Sequence, residues 1–206
     1  AQMTASAKFL LCTRAQGMSG RTRFLMAQFF MPSRIKKREQ LSTGHRDLNR
    51  NQLDELMTIC LEELYNQDGP ILAQDIGERA ICGCLARVMG PKFPQYNVDI
   101  EYNRKGPGLE PKDIEMPDEN GVLTANRIFP DIIVHERGNN LRNLLVVEVK
   151  KSTSAVSDEH DHAKLQALCW QFDYRHGLFL RLSTGPDAQL ERVQRNWFEG
   201  PAVENP

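Results

Sequence analysis

Ile128-Phe-Pro-Asp-Ile-Ile-Val-His135 and Leu144-Leu-Val-Val-Glu-Val-Lys-Lys151 are the two most apolar strand-like runs of the chain, and both carry charge. Their β-branched content reads as core strands. Asp131 interrupts the first run, and Glu148 and Lys150 interrupt the second. Successive strand residues point to opposite faces, so Glu148 and Lys150 share one face and Val147 and Val149 the other. Gly138-Asn-Asn140, between the runs, is a hairpin-type turn that lays them side by side. Directly opposed residues then sit about 5 Å apart. A register that brings Asp131 near Glu148 gathers all three charges.

Burying three unpaired charges costs on the order of several kcal/mol. Two carboxylates held together repel and favour protonation unless a cation lies between them. Hard divalent cations such as Mg²⁺ take oxygen ligands and often use only one or two carboxylates. A lysine beside such a cation orients a water or stabilises developing negative charge. The competing reading is an internal salt bridge from Lys150 to Glu148 or Asp131.

Glu78 adds weight to the first reading. Ile81, Cys82, Leu85 and Met89 follow it at helical spacing, so Glu78 falls on the apolar stripe of a helix spanning about residues 75–89. Asp75-x-x-Glu78 also matches a capping box, with Asp75 as N-cap. Capping accounts for the position but not for an acid on the buried face. Upstream, Leu53, Leu56, Met57, Cys60, Leu61 and Leu64 predict a first helix from near Asp47, ended by a turn at Asp68-Gly-Pro70. Tyr96 to Tyr102 alternates as a half-buried strand, and residues 104–126 read as a long connector rich in Gly, Pro and acids. A third helix is expected over about Ser157–Phe172, a strand over Gly177–Leu182, and a short helix within Pro186–Phe198.

Pro130-Asp131, sixteen intervening residues, then Glu148-Val-Lys150 resembles the motif of the PD-(D/E)XK nuclease superfamily. The resemblance covers roughly residues 70–182. It includes the acid on the helix before the first strand, where Glu78 sits, and the order helix, three strands, helix, strand. It implies an α/β restriction-endonuclease-like core with a mixed central β-sheet flanked by helices. It further implies that Asp131 and Glu148 bind Mg²⁺ or Mn²⁺, that Lys150 assists the attacking water, and that Glu78 supports the site. All four positions hold competent residues. The function expected is metal-dependent hydrolysis of nucleic acid, with DNA the favoured substrate. The alternatives are a non-catalytic nucleic-acid-binding or assembly module that keeps the fold, and an unrelated protein with a buried ion-pair network.

Lys151, Lys164, Gln166 and Arg104, with Lys105, are candidate phosphate contacts. His135 shares a face with Asp131 and reads as a hydrogen-bonded edge histidine. Asp99 and Glu101 read as solvated, and so does the helix start Asp158-Glu-His-Asp-His162, where acids suit the helix dipole. Trp170, Phe172 and Tyr174 fit base stacking or, more simply, the core and a helix end.

The chain has 206 residues, 40% apolar and 26% charged, which suits a globular protein. Its formal charge of −1 is unevenly spread. Of 26 Lys and Arg, eight lie in residues 1–38, which hold no acid, so residues 39–206 hold 18 bases against 27 acids. Such a balance speaks against tight, nonspecific nucleic-acid binding by the core. Residues 1–45 read as a basic, loosely structured leader, with a targeting segment and a basic nucleic-acid arm as other readings. Residues 46–200 read as one domain and 201–206 as a tail. No apolar run approaches the roughly 18 residues of a membrane span. Five cysteines without a Cys-x-x-Cys pair fit free thiols in the cytoplasm. A homo-oligomer or a partner protein is compatible with all of this.

Overall fold

A computed structural model describes residues 48–117, 122–139 and 141–200. The basic leader and the tail lie outside the described residues.

Two helices open the described chain. Helix α1 (Arg50–Ala73) starts with a capping box, in which Asn49 Oδ1 accepts from Gln52 N at 3.0 Å and Gln52 Oε1 from Asn49 N at 3.0 Å. The turn expected at Asp68-Gly-Pro70 is only a kink: Asp68 leaves helical geometry (φ −115°, ψ 17°) and the helix resumes. Proline lacks an N–H but suits the first turn of a helical segment, so a local break lets Pro70 begin the second half. Helix α2 (Glu78–Met89) buries Ile81, Cys82, Leu85 and Met89 as the periodicity predicts. Its N-cap is Gly77, and the expected capping box does not form. Asp75 lies outside the helix at φ +53° and accepts instead from Thr153 Oγ1 at 2.9 Å.

Next come β1 (Asn97–Ile100), two small antiparallel ribbons formed by β2 (Arg104–Lys105) with β3 (Glu110–Pro111) and by β4 (Asp113–Pro117) with β5 (Leu123–Arg127), then β6 (Ile132–His135) and β7 (Asn143–Lys151). The stretch expected as a bare connector thus holds both ribbons. Helix α3 (Glu159–Gln171) crosses over to β8 (His176–Leu182), and β9 (Gln194–Glu199) closes the chain. The short helix expected before Phe198 is a 3₁₀ turn, Leu190–Arg192, followed by that edge strand. Pairing with β8 and the bond from Trp197 Nε1 to Asp54 Oδ1 (2.9 Å) fix it as a strand.

The central sheet runs β1-β6-β7-β8-β9, with β7 and β8 parallel and the other pairs antiparallel. This is a mixed α/β fold with helices on both faces. Val147 and Val149 join the core under α1 and α2, whereas Val146 joins the one under α3. Burial on both faces explains why β7 reads as a continuous apolar run. Each fully buried Val or Leu contributes about 1.5–3 kcal/mol, enough in sum to carry two charged side chains on one face.

Candidate active site

Strand β7 has nine residues and β6 only four, so β7 overhangs its neighbour. Their last ladder pair there is Ile132 with Val147; one step further puts Asp131 opposite Glu148, on the face that α3 covers. The overhang leaves backbone amides without a strand to receive them. Two carboxylates take them: Val149 N donates to Asp131 Oδ2 at 2.8 Å, and Lys151 N donates to Glu78 Oε1 at 3.0 Å. Asp131, Glu148 and Glu78 are therefore brought to one end of β7. A carboxylate has about four acceptor positions, so one amide leaves each capacity for another partner.

Glu148 is buried. Its Oε2 accepts from Lys164 Nζ at 2.8 Å, and the same amine donates to the carbonyl of Phe129 at 3.1 Å. Glu148 Oε1 is buried with no hydrogen-bond partner. Burial pushes the Glu148 carboxyl up to about 8; the Lys164 charge opposes this and the Asp131 charge adds to it. Asp131 is also raised by burial, against the Val149 amide and Lys164. The Cys82 thiol is raised by burial and then by the charges of Asp131, Glu148 and Glu78.

Lys150 is placed differently from expectation. It shares the Glu148 face, but its ammonium pairs with Asp161 and donates to the Ser157 carbonyl at 3.1 Å, with Asp158 Oδ1 3.9 Å away. The ammonium beside the buried glutamate belongs to Lys164. The start of α3 is solvated only in part: Glu159 and His160 are exposed, whereas Asp158 pairs with Arg181 and Asp161 with Lys150, because α3 lies on the charged face of β7. His162 packs edge-on against Phe179, ring centroids 4.7 Å apart.

A pocket of about 310 Å³ opens beside the carboxylates, lined by Glu78, Arg79, Cys82, Ile100, Glu101 and Asp131. The Lys151 amine reaches Asp75 Oδ1 at 3.2 Å. Gln166 and Arg104 are exposed, and Lys105 Nζ lies 5.6 Å over the Phe172 ring. Trp170 is exposed, while Phe172 and Tyr174 are core residues. His135 is a hydrogen-bonded histidine, 2.9 Å from Asp99 Oδ2. Asp99, expected to be solvated, is largely buried and pairs with Arg137, whereas Glu101 stays partly exposed and pairs with Arg79. Burial pushes the Asp99 carboxyl up, but Arg137 and His135 more than offset it and hold it below the carboxylate range.

No family model matches the chain, and no curated protein matches it. Among solved structures, the crystal structure of SSO0001 resembles it over 73% of this chain and 78% of that one, at 18% identity and a TM-score of 0.36. That likeness carries no argument.

Among the described residues no three His, Cys, Asp or Glu side chains converge as a ready ligand cage. A Mg²⁺ or Mn²⁺ site does not need one, because these ions keep several waters and use one or two carboxylates plus substrate oxygens. Asp131 and the buried, unpartnered oxygen of Glu148 fit that requirement, with Glu78 close by. Sequence reasoning overlooked Arg79 and Asp161. The adjacency Glu78-Arg79 was a signal for the first. Asp161 reads in the sequence as part of a polar helix start, and only tertiary packing brings it to Lys150.

Proposed function

We propose that this protein is a metal-dependent nuclease that hydrolyses phosphodiester bonds, with DNA its substrate, on a restriction-endonuclease-like core of the PD-(D/E)XK type. The observation that carries the reading is the buried, unpartnered Glu148 Oε1 opposite Asp131 at the open end of β7. A buried carboxylate oxygen without a donor is costly in a purely structural site, and a hard cation satisfies it. With the ribbons β2–β5 set aside, the order α2, β1, β6, β7, α3, β8 supports that reading.

In this reading Asp131 and Glu148 hold the cation, and Glu78 fixes the end of β7 and supports them. A bound Mg²⁺ or Mn²⁺ supplies positive charge to the transition state and lowers the pKa of a coordinated water. Lys164 holds Glu148 through Oε2. Lys150, held by Asp161, would assist an attacking water on giving up that contact. Nucleic acid is the partner. The described free cysteines, Cys60, Cys82, Cys84 and Cys169, fit a cytoplasmic setting. Among the described residues no helix is long and apolar enough to cross a membrane.

A second reading is favoured by the pairs Glu148–Lys164 and Lys150–Asp161, which neutralise the face between β7 and α3. With those pairs permanent, the chain is a non-catalytic nucleic-acid-binding or assembly module. Incubation with labelled single- and double-stranded DNA and RNA, in Mg²⁺, Mn²⁺ or EDTA, separates the two. The nuclease reading expects cleavage that EDTA abolishes; binding without cleavage in any cation supports the module.

A further inference from the structure

Arg79 follows Glu78 on α2 and is the only base among the six residues lining the pocket. Its side chain is 76% exposed. Nε donates to Glu101 Oε1 at 2.7 Å, and Nη2 pairs with Glu101 Oε2. That fork uses two of the five guanidinium donors, and three remain for another acceptor. Glu101 is itself held in an unusual place. It sits just past β1 at φ +50°, and its amide donates to the Pro130 carbonyl at 3.0 Å, beside Asp131. The turn that anchors Asp131 therefore also aims a carboxylate at Arg79.

Stability does not account for this arrangement. An exposed ion pair adds little to folding, and left-handed backbone at a non-glycine residue costs at least as much. Electrostatics does account for it. Glu78, Glu101 and Asp131 give the pocket three carboxylates, which repel an incoming phosphodiester. A planar guanidinium at the rim supplies charge and a bidentate fit to phosphate oxygens that a lone ammonium lacks. Resting on the nuclease reading of the same pocket, we propose that Arg79, oriented by Glu101, contacts a backbone phosphate of the bound strand.

The test is the salt dependence of DNA binding by the full chain, with Ca²⁺ replacing Mg²⁺ so that the strand is held uncut. Each phosphate contact on duplex DNA contributes about 0.9 to the slope of log affinity against log salt. Arg79→Ala should reduce that slope by about one, and Arg79→Lys, which keeps the charge, should retain it while binding more weakly. Arg87→Ala is the control, since Arg87 pairs with Asp68 and does not line the pocket. An unchanged slope in Arg79→Ala, with the parent binding normally, overturns the proposal and leaves the nuclease reading standing. A parent that binds no DNA at all overturns both.

Discussion

The amide of Val149 donates to the carboxylate of Asp131 across 2.8 Å, where a ladder bond would run if β6 were longer. Asp131 thus has a structural task besides any chemistry, and the two tasks separate by substitution. Asp131→Asn keeps an oxygen to accept that amide, whereas Asp131→Ala leaves a half-buried donor unpaired at a cost of about 1–3 kcal/mol. Urea denaturation should show the alanine variant destabilised by that amount and the asparagine variant close to the parent. Added Mg²⁺ or Mn²⁺ should raise the melting temperature of the parent only. Saturation at about 100 times Kd corresponds to roughly 2.7 kcal/mol. A melting temperature that metal leaves unmoved in the parent counts against the cation site.

Lys164 neutralises a glutamate whose side chain is only 4% exposed. Removing one partner of a buried pair costs about 3–5 kcal/mol, because the other charge is left without compensation. With the Glu148 carboxyl already pushed up to about 8, Lys164→Met should leave a neutral, protonated Glu148 at pH 7 and destabilise strongly only above about pH 8, where the double variant Lys164→Met/Glu148→Leu should recover much of the loss. A single variant as stable as the parent above that pH would show that the pair contributes nothing.

A lysine outside the candidate site, Lys112, sets a pH dependence. Lys112 is buried, donates to the Tyr174 hydroxyl at 2.7 Å, and lies over the Tyr102 and Tyr174 rings. Burial lowers its pKa from 10.5 to about 8, with the Asp99 charge opposing. Between those values the unfolded chain holds a proton that the folded one has released, so stability rises with pH through that window. The rise is on the order of 3 kcal/mol at 1.36 kcal/mol per unit. Lys112→Met should flatten the stability profile between about pH 8 and 10.5 in chemical denaturation. A slope that survives the substitution assigns it to another group.

Much of the site was legible because strand periodicity is local. The alternation in Leu144 to Lys151 puts Glu148 and Lys150 on one face, and the spacing from Asp131 through one hairpin leaves few registers. The apolar stripe of α2 placed Glu78 inward for the same reason. What escaped was decided by partners distant in sequence. Asp75 gives up a capping role for Thr153, 78 residues away. The segment ending at Phe198 becomes a strand because β8 and Asp54 receive it. The periodicity fixes the face of Lys150, but Asp161 on α3 decides where its ammonium rests. The short ribbons within residues 104–127 carry too few residues each for a pattern to emerge.

The most direct measurement is single-turnover cleavage of a labelled DNA that the parent cuts, comparing the parent, Glu148→Gln and Lys150→Ala in Mg²⁺ and in EDTA. No cutting is expected in EDTA and none by Glu148→Gln. Lys150→Ala should be about 10²–10⁴-fold slower, the range for a positioned acid–base or electrostatic group, with Mn²⁺ binding intact. Cutting by Lys150→Ala at the parental rate, or cutting that EDTA leaves untouched, would contradict it.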